Sequence, residues 1–228
     1  MRTLITHSLL AAWLYSMQEN PYADATQEDT SKEDFLRVLR REPTPTSEAM
    51  QKGIDFENLV TDICNHAETR QIIIEDAELN ASIPFEESIT KHPWYQPALK
   101  VAQHVRGGQL QLVAKKPITI SGYDLLLYGR LDALKAGRIY DIKFTGSYDR
   151  GKYVSSTQHP MYMELVPEAE SFTYLVSNGT DVWTEQYRRD EVQSIYPIIR
   201  DFLQWLSATG NMETYTKYWG ARNDRNAA

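Results

Sequence analysis

The hydrophobic period of this 228-residue chain changes at Leu110, and nothing else in it constrains the fold so strongly. Before that point apolar residues recur at helical spacing, with Met50, Ile54, Leu59, Ile63 and Ala67 near one helix face. After it come LQLVAKKPITIS, YDLLLYGRLDAL, RIYDIKFT, ESFTYLVS and DVWTEQYR, all rich in β-branched and aromatic residues. Helices, a strand meander, a crossover helix, two more strands and a last helix specify one α/β domain over residues 1–228. Its helical N-terminal portion runs to about residue 106, and a central mixed sheet of about five strands is flanked by helices.

Local signals place the elements. ITHSLLAAWLYSMQEN reads as a helix capped by Thr6 or Ser8, and NPYADATQEDTSKED as a loop or helix start. FLRVLRRE is a short helix ended by the prolines of EPTPTSEAM, after which Thr46 or Ser47 caps a longer helix through AMQKGIDFENLVTDICNHAE. One or two further helices fill residues 69–106, broken at HPWYQP. Turns fall at Lys135-Ala136-Gly137 and at Asn178-Gly179, the second predicted as a two-residue hairpin loop. A helix is expected over roughly 151–165 and another from Asp190 to Gly210, with Pro197 as a kink site and GARNDRNAA as a frayed tail.

Composition narrows the function classes. No apolar run reaches the ~18 residues of a membrane span. The single cysteine, Cys64, excludes a disulfide framework and any cysteine-held zinc or iron–sulfur site, so the expected compartment is the cytoplasm. His66, His92, His104 and His159 are not at paired ligand spacing, and the tryptophans and Tyr95 read mainly as core rather than base-stacking groups. The net charge is −7, but residues 100–152 carry ten Lys/Arg and four Asp. That local excess suits an anionic ligand, with Lys115, Lys116, Arg130, Arg138, Arg150 and Lys152 as candidate phosphate contacts.

The charges inside GRLDALKAGRIYDIKFT lie within this basic region. A turn at Ala136-Gly137 folds Asp132 back towards Asp141, and Lys143, two residues on, shares the face of Asp141. Adjacent carboxylates repel unless a cation intervenes. Hard oxygen ligands suit Mg²⁺ or Mn²⁺, and Lys143 could steady charge developing on a phosphate. The alternative is a solvent-facing strand with a local salt bridge.

Further residues extend the pattern. Gly129-x-x-Asp132, Asp141-x-Lys143 and Gln158-x-x-x-Tyr162, with Gly53-x-x-x-Glu57 upstream, resemble the RecB-like branch of the PD-(D/E)xK nuclease superfamily. The opening THSLLAAWLYSMQENPY resembles that branch's N-terminal helix, and the resemblance spans about residues 5–190. It implies a restriction-endonuclease-like core and Mg²⁺- or Mn²⁺-dependent hydrolysis of DNA without a covalent enzyme intermediate. It further implies metal ligands at Glu57, Asp132, Asp141 and the carbonyl of Ile142. Lys143 would position or activate the nucleophile, Gln158 and Tyr162 would orient the site and touch DNA, and Arg130, Thr145, Arg150 and Lys152 would contact the backbone. Many RecB-like members have histidine where this chain has Glu57, while glutamate occurs in the phage lambda exonuclease type. The implied activity is therefore a stand-alone, phage-type exonuclease of recombination or repair lacking the four-cysteine cluster, with room for a homo-oligomer or a recombination partner protein. A non-catalytic binding module on the same fold and a structure-specific endonuclease are the alternatives.

Overall fold

The computed structural model of the chain describes residues 2–18, 30–75 and 87–220. A short strand, β1 (Thr3–Ile5), leads into α1 (His7–Ser16), whose N-cap is Thr6: its hydroxyl accepts the Leu9 N–H at 3.2 Å. Next come α2 (Ser31–Leu39) and α3 (Glu48–Glu75), the latter entered through Ser47, which accepts the Met50 N–H at 3.2 Å. Then follow α4 (Glu87–Thr90), α5 (Tyr95–Val105), β2 (Gln109–Ile120), β3 (Tyr123–Lys135) and β4 (Arg138–Phe144). The chain ends in α6 (Gln158–Leu165), β5 (Ser171–Ser177), β6 (Val182–Arg188), α7 (Tyr196–Ala208) and α8 (Met212–Trp219).

The six strands form one mixed sheet, as the α/β reading requires. β2 runs antiparallel along one edge of β3. The other edge of β3 is shared: residues 125–127 pair parallel with β1, and residues 133–135 pair antiparallel with β4. β4 pairs parallel with β5, and β5 antiparallel with β6. Ala136 and Gly137 have φ of 47° and 72°, the two left-handed residues that a tight hairpin between β3 and β4 needs.

Helices cover both faces. A larger core joins Leu9 and Leu10 of α1, Phe35 of α2, Met161 of α6, Phe202 of α7 and Tyr215 of α8 to Ile139, Phe172 and Tyr174. A smaller one joins Phe56 and Val60 of α3 and Val101 of α5 to Ala133, Tyr140 and Leu175. Neighbouring residues Ile139 and Tyr140 thus serve opposite cores, as strand alternation demands. α6 lies tightly on β3, since a Cβ added at Gly129 would stand 2.6 Å from Tyr162 Cε1 and 2.8 Å from Leu165 Cδ1. Gly129→Ala is expected to lower stability by about 1–3 kcal/mol through overpacking, read as a shift of the chemical denaturation midpoint.

Several expectations are corrected. β1 was not foreseen, because three residues beside a helix carry no periodic signal. The Asn178-Gly179 hairpin is a four-residue loop: Ser177 pairs with Val182, and Asn178 Oδ1 accepts the N–H groups of Thr180 and Asp181. Only Gly179 there has positive φ, at 92°. Residues 151–157 are turns rather than the start of the crossover helix. The last predicted helix begins at Tyr196, with Pro197 in its first turn where no backbone hydrogen bond is lost, so it does not kink. α8 was missed, and within the expected frayed tail Gly220 bridges to Thr3 while residues 221–228 lie outside the described residues. Most of the acidic loop (19–29) and the whole stretch between α3 and α4 (76–86), part of the region 69–106 expected to hold one or two helices, also lie outside them.

Candidate active site

Asp132 stands where the sheet changes partner. The β3–β4 ladder stops at Ala133–Tyr140, so the next pair in register, Asp132 opposite Asp141, has no backbone rung. Instead Asp132 Oδ2 accepts the Ile142 N–H at 2.7 Å. The β2–β3 ladder also skips one position here, Gln111 opposite Asp132, and Gln111 has φ of 53°. A left-handed conformation in a non-glycine strand residue is strained and marks a bend. Across that bend Leu110 and Ala133 pack with the smaller core, while Leu112 and Leu131 pack with the larger. The bend therefore aims Asp132 into the opening between β3 and β4.

Asp141 is only 2 % exposed, which excludes the solvent-facing strand. Its Oδ1 is held by Gln158 Nε2 at the start of α6. Its Oδ2 faces Lys143 Nζ at 2.7 Å but accepts no aligned hydrogen bond. Burial and the neighbouring charges of Asp141 and Glu57 push Asp132 well above the ordinary carboxyl range. Burial also raises Asp141, against the pull of Lys143. Desolvation pulls Lys143 down, but its contact with Asp141 and the charges of Asp141 and Asp132 together outweigh it and leave the ammonium raised. Tyr162, 3 % exposed, donates to the Arg130 carbonyl at 2.9 Å, and burial with the Asp141 charge pushes its hydroxyl to about 12. Asp132, Asp141, Lys143, Gln158 and Tyr162 thus form one cluster.

Glu57 approaches this cluster from α3, but its carboxylate accepts from Gln111 Nε2 at 2.5 Å. Among the described residues no three His, Cys, Asp or Glu side chains converge as a metal-binding group. The donor chemistry at Asp132 and Asp141 nevertheless fits a hard divalent cation: a half-buried and a buried carboxylate, both raised by desolvation and the first also by the charge of the second, with one Asp141 oxygen lacking an aligned donor.

The basic candidates divide. Arg150 and Lys152 are exposed on the loop that follows Lys143, although Lys152 Nζ is tied to Thr145 Oγ1 and the Ser147 carbonyl, both at 2.9 Å. Arg130 is exposed beside the cluster. Lys116 is paired with Glu164, and Lys115 lies 5.9 Å from the Tyr128 ring centroid. Arg138 begins β4, about 16 Å of strand from Lys143, so it is not brought to the site. His159 is buried and stacked on Tyr187 at 4.2 Å, a packing role.

Two neighbours escaped the sequence reading. Gln111 carried no signal beyond a polar residue in a strand. His7 carried no signal between the cap candidates Thr6 and Ser8, yet its ring sits edge-on to Tyr162 with centroids 5.4 Å apart. Burial and nearby Lys143 lower it to about 4, so it is neutral at physiological pH.

No family model matches the sequence, and no curated protein does. Among solved structures, the chain is similar to SSO0001 over 78% of its length and 87% of that chain, at 14% identity and a TM-score of 0.41. It is also similar to a "Putative exonuclease" from Eubacterium rectale over 95% of its length and 82% of that chain, at 11% identity and a TM-score of 0.45.

Proposed function

We propose that the protein is a Mg²⁺- or Mn²⁺-dependent deoxyribonuclease of the RecB-like kind, acting on DNA ends. The observation that carries this reading is the Asp132–Asp141 pair at a break in the ladder, Asp141 buried and Asp132 half-buried, with Lys143 against it. Two carboxylates set side by side with one ammonium between them carry more negative charge than Lys143 alone offsets, and a divalent cation would neutralise the excess. A divalent ion there would stabilise phosphate charge as a Lewis acid and lower the pKa of a water. The chain's own residues supply the rest. Gln158 fixes one Asp141 oxygen and leaves the other turned to Lys143. Lys143, its side chain 31 % exposed, keeps its proton and sets a positive charge beside the reacting phosphate. Tyr162 stays protonated and, through the Arg130 carbonyl, fixes β3 against α6. Arg130 and Arg150 are placed to meet the DNA backbone.

The test is hydrolysis of end-labelled single- and double-stranded linear DNA with Mn²⁺, beside circular single-stranded DNA. Linear substrates are expected to be degraded, with complete loss of activity in EDTA. Circular DNA is expected to survive, since an exonuclease has no end to start from. Cutting of the circle would instead assign an endonuclease.

A further inference from the structure

The sheet register places a second carboxylate on the face that carries the site. Asp141 pairs with Tyr174, and Tyr174 pairs with Glu185, so the three stand in one row across β4, β5 and β6. Two strand spacings put Glu185 about 10 Å from Asp141. Glu185 is only 8 % exposed, and four donors meet its two oxygens. Oε2 accepts the Tyr148 hydroxyl at 2.6 Å and the Gly151 N–H at 3.2 Å. Oε1 accepts the Tyr153 N–H at 3.1 Å and the Tyr187 hydroxyl. With every partner a donor, the carboxylate accepts throughout and is ionised.

Three of those donors belong to one segment, the loop that runs from Lys143 on β4 to Gln158 on α6. The loop crosses the row itself: the Tyr153 ring stacks on Tyr174 at 4.4 Å, and the Tyr148 ring packs on Trp183 at 5.4 Å. Its inner side is thereby fixed, while Arg150, Lys152 and Val154, the last 67 % exposed, point outward. The loop thus holds Arg150 exposed within a few residues of the Lys143 strand, and Lys152 beside it with its ammonium on Thr145 and the Ser147 carbonyl.

We propose that Glu185 is a positioning residue that clamps residues 148–153 as an arm for the phosphate backbone of the bound DNA strand. The proposal rests on the nuclease reading but concerns how substrate is held rather than how it is cut. Glu185→Gln keeps the shape and puts an NH₂ group where two donors now point, so the clamp opens. Trypsin cleaves after Arg150 and Lys152, and it therefore reports on the loop without any nuclease assay. In native full-length protein, E185Q is expected to be cut there at least about tenfold faster than wild type. Its affinity for a short DNA duplex in EDTA is expected to fall by about tenfold, with a shallower dependence of log affinity on log salt. The effect should not add to that of Arg150→Ala/Lys152→Ala, because both remove the same contacts. Tyr148→Phe, which deletes one donor without burying a new polar atom, should move cleavage and affinity in the same direction by less, and it serves if E185Q fails to fold.

Unchanged trypsin cleavage overturns the clamp. Faster cleavage with unchanged DNA affinity overturns the arm. Wild-type protein that hydrolyses DNA while E185Q binds it equally well sinks this inference alone. Wild-type protein that hydrolyses nothing with Mn²⁺ sinks the nuclease reading.

Discussion

Asp141→Ala is expected to reduce DNA hydrolysis by at least ~10³-fold while the protein remains folded. The loss is large because Asp141 holds three relations at once: to Asp132 across the broken ladder, to Lys143 at 2.7 Å and to Gln158. The fold should tolerate the change for identifiable reasons. Removing the carboxylate leaves the buried Gln158 amide short of a partner, a cost of about 1–3 kcal/mol. It also relieves the repulsion on Asp132, and Lys143 keeps Asp132 as a counter-charge while remaining partly in water. Lys143→Ala should be comparably inactive. Rates from purified variants on linear DNA, with circular dichroism melts of the same samples, check both. Full activity in either variant would overturn the site.

The second large effect is on stability, and its sign follows from Asp132. An ordinary aspartate ionises near 3.8 in the unfolded chain, whereas the folded protein holds Asp132 protonated to a much higher pH. Between those values the unfolded state binds fewer protons, so metal-free stability falls as pH rises above about 4, and the penalty persists at neutral pH. Asp132→Asn keeps an oxygen for the Ile142 N–H and removes the charge. In EDTA at pH 7 it is therefore expected to melt higher than wild type. Mn²⁺ should reverse the order: at 100 times its dissociation constant it would stabilise wild type by about 2.7 kcal/mol and the variant by much less. Thermal melts of both proteins with EDTA and with Mn²⁺, from pH 4 to 8, decide the matter. Coincident melts under all conditions would rule out a metal-binding carboxylate pair.

The local parts of this site were legible because they depend on spacing along the chain. The Ala136-Gly137 turn and the alternation of RIYDIKFT are enough to bring Asp132, Asp141 and Lys143 together, and a four-residue helical spacing is enough to join Gln158 to Tyr162. Thr6 and Ser47 were readable as caps for the same reason. What escaped depends on contacts between distant segments. Glu185 in DVWTEQYR reads as an ordinary outward polar residue, and only the combined register of β4, β5 and β6 sets it in line with Asp141. Gln111 matters through a backbone angle that no residue type announces. Glu57 shows the converse: its charge reaches Asp132 from α3, but its carboxylate is turned to Gln111, a partner that no spacing along the chain announces. Arg138 was grouped with the site by sequence proximity alone, although it lies at the far end of its strand.

The pairing of β1 carries a consequence for how the molecule is made. Tyr215 of α8 donates to the Leu4 carbonyl, Trp219 donates to the Leu39 carbonyl, and Gly220 bridges to Thr3. The first strand, the second helix and the last helix therefore form one closed contact. A growing chain delivers α8 180 residues after Leu39 and 211 residues after Leu4. At translation speeds of about 5–20 residues per second, the N-terminal strand waits at least ten seconds or so for its C-terminal partner. During that interval Leu9, Leu10 and Leu39 face a core whose α7 and α8 walls do not yet exist. Synthesis rate and chaperone supply should therefore govern the yield of soluble protein more than the equilibrium stability of the finished fold does.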